Sequence, residues 1–399
     1  MINVPILQIP FDEDDRAFIH EGIEDILDSG FLTSGKWTER FENSFASFTD
    51  SKYCIAVNSG TAAIEVILRA LGINNSSVIV PTNTFLATAL AVVHSGNHVI
   101  FSDSDPETLS LTVDDVKRRI TDDTRAVILV HIGGVISPEW QDLKTLCEEK
   151  GLYLIEDCAH AHGCVIEGRH AGTLGVAGAF SFFPTKVFTS GEGGAIITDN
   201  EDVFVNSRMI RNQGKNPDLG NQISEMGHNF RMSEFGALIA EQQMKKSAEI
   251  LSERRNAAAF YDQALLSLRG VTPVRIVGQS GYYKYVAYLD EWIDRDKLKV
   301  RLKEKYKVSL TGEVYSDLCH DEPVWDTYTF CGNVRESGTS VCSHVNCNEG
   351  YGEADFSGAK KIKQRHICLP IYPGLTDDQL SHVTSSLGNI VSELRTEDI

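Results

Sequence analysis

Lys186 stands in "SFFPTKVFTSGEGGAIITD" (residues 181–199), behind two aromatic residues and a proline and ahead of hydroxyls and a glycine cluster. A lone lysine in a loop is ordinarily solvated and needs no such surroundings. A lysine that must lose its proton and attack a carbonyl does need them, because an apolar setting disfavours the ammonium. Two further groups of residues bear on that chemistry. In "LIEDCAHAHG" (residues 154–163) an apolar run ends in Glu156, Asp157, His160 and His162. An aspartate at a buried strand end either caps the next turn or holds a proton on the ring nitrogen of a cofactor. In "NSGTAA" (residues 58–63) a small-residue turn enters a helix. Its N–H groups, with the hydroxyls of Ser59 and Thr61, make either a plain cap or an anion site fit for a phosphate.

Singly, each group has its bland reading. Together they supply the three handles of pyridoxal phosphate (PLP): a cradle for the phosphate, an acid for the pyridinium and a lysine for the aldehyde. His160 and His162 with Cys158 and Cys164 raise a metal reading, but their spacing matches no familiar zinc pattern. Cys331, Cys342, His344 and Cys347 are also spaced irregularly and read as a loop with reduced thiols. No metal is expected.

Such residues need strands that end where they stand. Short apolar runs at 78–80, 98–101, 126–131, 152–156, 177–182 and 195–198 alternate with helical or loop segments. Continuous apolar runs mark strands buried on both faces, as in an α/β domain with a mainly parallel sheet. Ligands of such sheets lie beyond the carboxyl ends of the strands. Upstream, Ile19, Ile23, Ile26 and Leu27 share one helix face, and Phe41, Phe45 and Phe48 another. "SGTAAIEVILRALG" reads as an almost wholly apolar helix between Ser59 and Gly72, and "SEFGALIAEQQMKKSAEILSERRNAAAFYDQAL" as one long helix. After it come an alternating strand, "YYKYVAYLD", and helices over 295–306 and "TDDQLSHVTSSLGNIVSEL". The expected organisation is a large α/β domain over 1–250 and a smaller α+β domain over 251–399.

The 399 residues carry a formal net charge of −19, with 42% hydrophobic and 23% charged residues. That balance speaks against a nucleic-acid partner, which favours a basic face. The longest apolar runs are strand-sized, so no membrane span is expected. "MINVPILQIPFDEDD" lacks the basic start of a secretory signal, and nine cysteines without framework spacing fit reduced thiols. The expected location is the cytoplasm.

The chain resembles the DegT/StrS-type sugar aminotransferases, PLP enzymes of the aspartate aminotransferase fold. The resemblance runs from about residue 31 to 394. It is carried in order by "GFLTSGKWTERFE", "VNSGTAAIEVILRALGI", "VPTNTFLATALAVVHSGNHVIFSDSD", "IEDCAHAHG", "SFFPTK", "GEGGAIITD", "RNQG", "HNFRMSE" and "LPIYPGLTDDQ". It implies that Lys186 is the lysine that joins the cofactor and Asp157 its pyridinium partner. His160 stands where members carry Gln or His near the ring hydroxyl. Gly60 and Thr61, helped by Ser181, are implied to bind the phosphate, and Phe85 to lie against the ring. Asn229 is implied to reach the cofactor phosphate of a partner subunit, so that a homodimer shares its sites. The implied reaction moves an amino group from an amino acid such as glutamate to a keto-sugar, nucleotide-linked, in amino-sugar biosynthesis.

Two stretches depart from the family pattern. Relatives often read H-x-Y-G-Q where this chain has "HIGGV", putting Gly133 and Val135 in place of a ring and an amide. The segment 319–353 is longer and richer in cysteine than expected. Both are expected to shape the sugar pocket. Two rival readings stay open: a sugar dehydratase of the same fold, whose members place His at the lysine position, and a PLP-binding regulatory protein without turnover.

Overall fold

The computed structural model describes residues 2–5, 7–310, 312–327 and 356–397. Its centre is a seven-stranded sheet built from β1 (Tyr53–Val57), β2 (Ser77–Pro81), β3 (His98–Ser102), β4 (Thr124–Val130), β5 (Tyr153–Asp157), β6 (Ala177–Ser181) and β7 (Gly194–Thr198). The spatial order is β1-β7-β6-β5-β4-β2-β3. Strands β3, β2, β4, β5 and β6 run parallel, while β7 pairs antiparallel with both β6 and β1. Strands β2, β4 and β5 are almost wholly buried, which explains their unbroken apolar runs. From β2 the chain turns to β3 on one side and returns to β4 on the other. This reversal opens a crevice at the strands' carboxyl ends.

Helices cover both faces. The expected N-terminal pair forms as α1 (Glu13–Ser29) and α2 (Lys36–Thr49). The apolar helix is α3 (Gly60–Ala70), capped by the Ser59 hydroxyl, which accepts from the Ala62 N–H at 3.1 Å. Next come α4 (Ala87–His94), α5 (Val113–Arg119), α6 (Trp140–Lys150) and α7 (Glu201–Arg211). The long helix expected after residue 233 is two helices, α8 (Glu234–Lys245) and α9 (Ser247–Leu265), which break at Lys246. The strand β1 has no counterpart in the sequence reading.

A second, antiparallel sheet joins β8 (Val271–Pro273), β9 (Tyr285–Leu289) and β10 (His366–Leu369). It packs with α10 (Arg295–Tyr306) and a C-terminal helix over Asp377–Glu397 around Leu298, Leu302, Leu387 and Ile390. Val4 joins this cluster, its N–H donating to the Lys307 carbonyl at 3.2 Å. Among the described residues no helix is long and apolar enough to cross a membrane.

Candidate active site

At the carboxyl ends of β2, β4, β5 and β6 lies a cavity of about 330 Å³. Its wall includes Gly60 and Thr61 from the start of α3, Asp157 from the end of β5, and Ser181 and Lys186 beyond β6. Phe85 and His160 complete the convergence of seven residues singled out in the sequence.

Asp157 is buried, and its two oxygens have separate donors. Thr88 Oγ1 donates to Oδ2 at 2.7 Å and the Ala159 N–H to Oδ1 at 3.0 Å. The Thr88 proton is committed to the carboxylate, so Thr84 Oγ1, 3.0 Å away, donates to Thr88. Thr88 escaped the sequence reading because a threonine in an apolar helix reads as packing. Its spacing of four from Thr84 is the signal that was present.

Lys186 is held at a turn, its N–H donating to the Phe183 carbonyl at 2.9 Å with Pro184 between them. Proline at that position pre-sets the turn's backbone. The amine lies 4.7 Å from the centre of the Tyr283 ring. Burial pulls its pKa down to about 8, against the opposing pull of Asp157 and with the repulsion of Lys284. About a tenth of the amine is therefore neutral at pH 7.

His160 stacks on the same tyrosine, with ring centres 4.0 Å from Tyr283. Burial, followed by the charge of Lys186, holds its pKa well below the usual histidine range. The ring is neutral, and Tyr283 thus supports both Lys186 and His160. Neither Tyr283 nor Tyr315, which also lines the cavity, was found in the sequence.

The first N–H groups of α3 have no partner within the helix, and Gly60 and Thr61 bring that helix start to the cavity wall. Glycine is required there: a Cβ on Gly60 would lie 2.8 Å from Ser181 Cβ. Phe85 is 61% exposed, leaving an open ring face at the cavity rim. Asn229 is apart from these residues. It is exposed, lies in a bridge to Asn212, and does not line the cavity of its own chain.

Other groups separate from the site. His162 is enclosed by Phe45, Phe180, Phe182 and Phe188, and burial lowers its pKa to about 3. His131, Glu156 and Cys158 bring three ligand-type atoms within 4.8 Å. The Glu156 oxygens, however, already accept from the Gly172, Leu174 and Gly175 N–H groups, each at 2.7 Å, and meet His131 Nε2 at 2.8 Å. Cys331, Cys342, His344 and Cys347 lie outside the described residues.

The expectation for Gly133 and Val135 needs correcting. Neither lines the Asp157 cavity; Val135 is buried beside Lys284 and Val286 at a separate depression of about 400 Å³. Gly133 has φ 64°, and its N–H donates to His160 Nδ1 at 3.2 Å. Its influence on the cavity passes through that ring. Of the segment 319–353, residues 328–353 lie outside the described residues. Its start is tied to the loop after β2, Cys319 N–H donating to the Thr82 carbonyl at 2.8 Å.

This geometry has known counterparts. The model of the DegT/DnrJ/EryC1/StrS aminotransferase family matches residues 13–388. The chain is 30% identical to the GDP-perosamine synthase of Vibrio cholerae, over 97% of this chain and 98% of that one. The crystal structure of DesI in the presence of its TDP-sugar product superposes with a TM-score of 0.84 at 28% identity, covering 100% of this chain and 96% of that one. NtdA from Bacillus subtilis, with bound cofactor PMP, gives a TM-score of 0.85 at 25% identity, covering 98% and 85%. With the match spanning both sheets and the lysine cavity, the chain belongs to the DegT/DnrJ/EryC1/StrS aminotransferase family.

Proposed function

We propose that this protein uses PLP to transfer the amino group of an amino acid, glutamate in the first instance, to a nucleotide-linked keto-sugar. The observation that carries the reading is the convergence of Lys186, Asp157 and the start of α3 on one cavity. The residues fit the group: helix N–H donors at Gly60 and Thr61 with Ser181 for the phosphate, a carboxylate for the ring nitrogen, and an amine for the aldehyde. The open face of Phe85 gives the ring a platform. PLP, when bound, supplies an electron sink for the bond to the donor's α-carbon.

The chain's own residues do the rest. Asp157, oriented by Thr88 and the Ala159 N–H, keeps a proton on the pyridine nitrogen. Lys186, with its pKa drawn down to about 8, takes a proton from the donor's carbon and returns one.

The same proposal includes a homodimer in which the exposed Asn229 completes the partner's phosphate site. It also includes a division near residue 250 into cofactor-binding and smaller units, and a cytoplasmic location. Lys186 stands against the dehydratase reading, since those relatives carry His there. The test is the formation of 2-oxoglutarate from glutamate, with and without nucleotide-linked keto-sugars. Turnover with a keto-sugar supports the reading. A single equivalent with every ketone tried favours the regulatory protein, and none from any donor amino acid overturns the proposal.

A further inference from the structure

We propose that Tyr315 is the ligand-contacting hydrogen-bond donor on the His160 side of the cavity, and that His160 is a positioning residue acting through it. The inference rests on the PLP reading and follows from the direction of two hydrogen bonds. A backbone N–H can only donate, and that of Gly133 points at His160 Nδ1 from 3.2 Å. Nδ1 is therefore the lone-pair nitrogen of the ring, and the ring proton sits on Nε2. Burial, which disfavours the doubly protonated ring, agrees with this assignment. His160 Nε2 lies 3.1 Å from Tyr315 Oη, so the imidazole donates and the phenol accepts.

The phenol's own proton is then left over. Among the described residues Tyr315 Oη has no second hydrogen-bond partner, and the residue lines the cavity. Burial holds the phenol protonated, its pKa well above the usual value. A half-buried hydroxyl on the cavity wall, with a committed lone pair and an uncommitted proton, is a donor waiting for a ligand oxygen.

Its placement is over-determined. The Tyr315 N–H donates to Asn83 Oδ1 at 3.0 Å, in the loop after β2. The preceding Val314 N–H donates to Nε2 of the buried His366 at 2.8 Å, at the start of β10. The Oη position is thus fixed jointly by both sheets, while stacking on Tyr283 fixes the imidazole that feeds it. The acceptor is a carbonyl or phenolic oxygen, on either the cofactor ring or the keto-sugar.

The test begins with ¹⁵N-histidine NMR of the cofactor-free protein, the His160 signal being assigned by its loss in His160→Gln. The Nε2–H tautomer is expected, and it should persist in Tyr315→Phe because Gly133 still occupies Nδ1. An Nδ1–H tautomer overturns the inference. Dissociation constants follow, for PLP by absorbance titration and for a GDP-linked keto-sugar by calorimetry. Tyr315→Phe is expected to weaken one of them about three- to tenfold. A loss for PLP places the oxygen on the cofactor, and a loss for the keto-sugar places it on the substrate. If wild type binds both and Tyr315→Phe matches it on both, the inference alone fails. If wild type binds neither, the aminotransferase reading fails and the ligand assigned to Tyr315 falls with it.

Discussion

Thr88 Oγ1 lies 2.7 Å from Asp157 Oδ2 and is itself 3.0 Å from Thr84 Oγ1, so the strand-end carboxylate is steered by a relay of two helix-side hydroxyls. Removing the carboxylate and removing its steering should have different consequences. Asp157→Ala is expected to bind PLP but turn over about ten- to a hundredfold more slowly, the worth of a charge-assisted hydrogen bond. Thr88→Val keeps the charge and loses one neutral donor, so its kcat should fall only about three- to tenfold. Steady-state kinetics with glutamate and a nucleotide-linked keto-sugar separates the two. Equal losses would mean that the hydroxyl relay, rather than the charge, is what matters.

Lys186 titrates in an unusual range for a lysine, drawn down to about 8 by burial. In the cofactor-free protein its rate of acetylation, followed by peptide mass spectrometry, should rise with a midpoint near pH 8. Exposed lysines should still be gaining reactivity above pH 10. The sign for stability follows from the same shift. Between about pH 8 and 10.5 the unfolded chain binds more protons at this lysine than the folded one. Stability from this group therefore rises with pH through that window, and below it the cost of burying the ammonium is fully present. Lys186→Met should stabilise the cofactor-free protein at pH 7 by on the order of 1–3 kcal/mol, less at pH 10. A midpoint above pH 10 in the labelling would show that the amine is not desolvated.

Borohydride treatment of the PLP-loaded protein should fix the cofactor on the peptide that contains Lys186. The turn set by Pro184 and the Phe183 carbonyl presents that amine to the cavity. A labelled peptide elsewhere would remove Lys186 from its assigned role.

The sheet was legible because its strands are buried on both faces, where the sequence has only one demand to meet. The strand Tyr53–Val57 was missed: five residues, "YCIAV", squeezed between a helix and the small-residue turn, with no alternation to mark it. The break at Lys246 was invisible because the helical pattern runs through it without a proline or glycine. That Lys186, Asp157 and the start of α3 meet at one cavity could be read because each breaks a local expectation: a cation among apolar residues, an acid ending a buried run, glycine at a helix start. Tyr283 and Tyr315 break none. They reach the cavity from segments far downstream of the strands that build it, where aromatic residues pass for core. Gly133 was read as a missing side chain, whereas its backbone N–H is the feature that touches His160.

Asn229 is exposed and outside its own chain's cavity, which suits a residue that works in a neighbouring subunit. Mixing Lys186→Ala and Asn229→Ala proteins should then restore activity. A heterodimer of the two holds one site with both defects and one with neither. Inactive homodimers that gain activity on subunit exchange would support shared sites. A fully active monomer in sedimentation would end the idea.

The last expectation concerns Glu234 and the loop before α2. The N-cap residue of α2 is Gly35, which has no side chain to cap the helix. The cap comes instead from Glu234, at the start of α8. Its oxygens accept from the Gly35 N–H at 2.9 Å, the Trp37 N–H at 2.7 Å and the Thr38 N–H at 3.0 Å, with the Thr38 hydroxyl as a further donor. A negative group at a helix N-terminus is favoured by the dipole, and burial makes each bond costly to lose. Glu234→Ala strands several donors at once and should destabilise by about 2–4 kcal/mol in urea unfolding. Glu234→Gln retains one acceptor oxygen but turns an amide N–H toward backbone N–H groups, so it should recover only part of that. The pair between Lys36 of α2 and Asp25 of α1, 2.8 Å apart with both partners well exposed, is the control. Asp25→Asn should leave the urea midpoint unchanged within error, because solvent screens such a pair. If Glu234→Ala behaves like Asp25→Asn, water caps α2 and the carboxylate does not hold this loop.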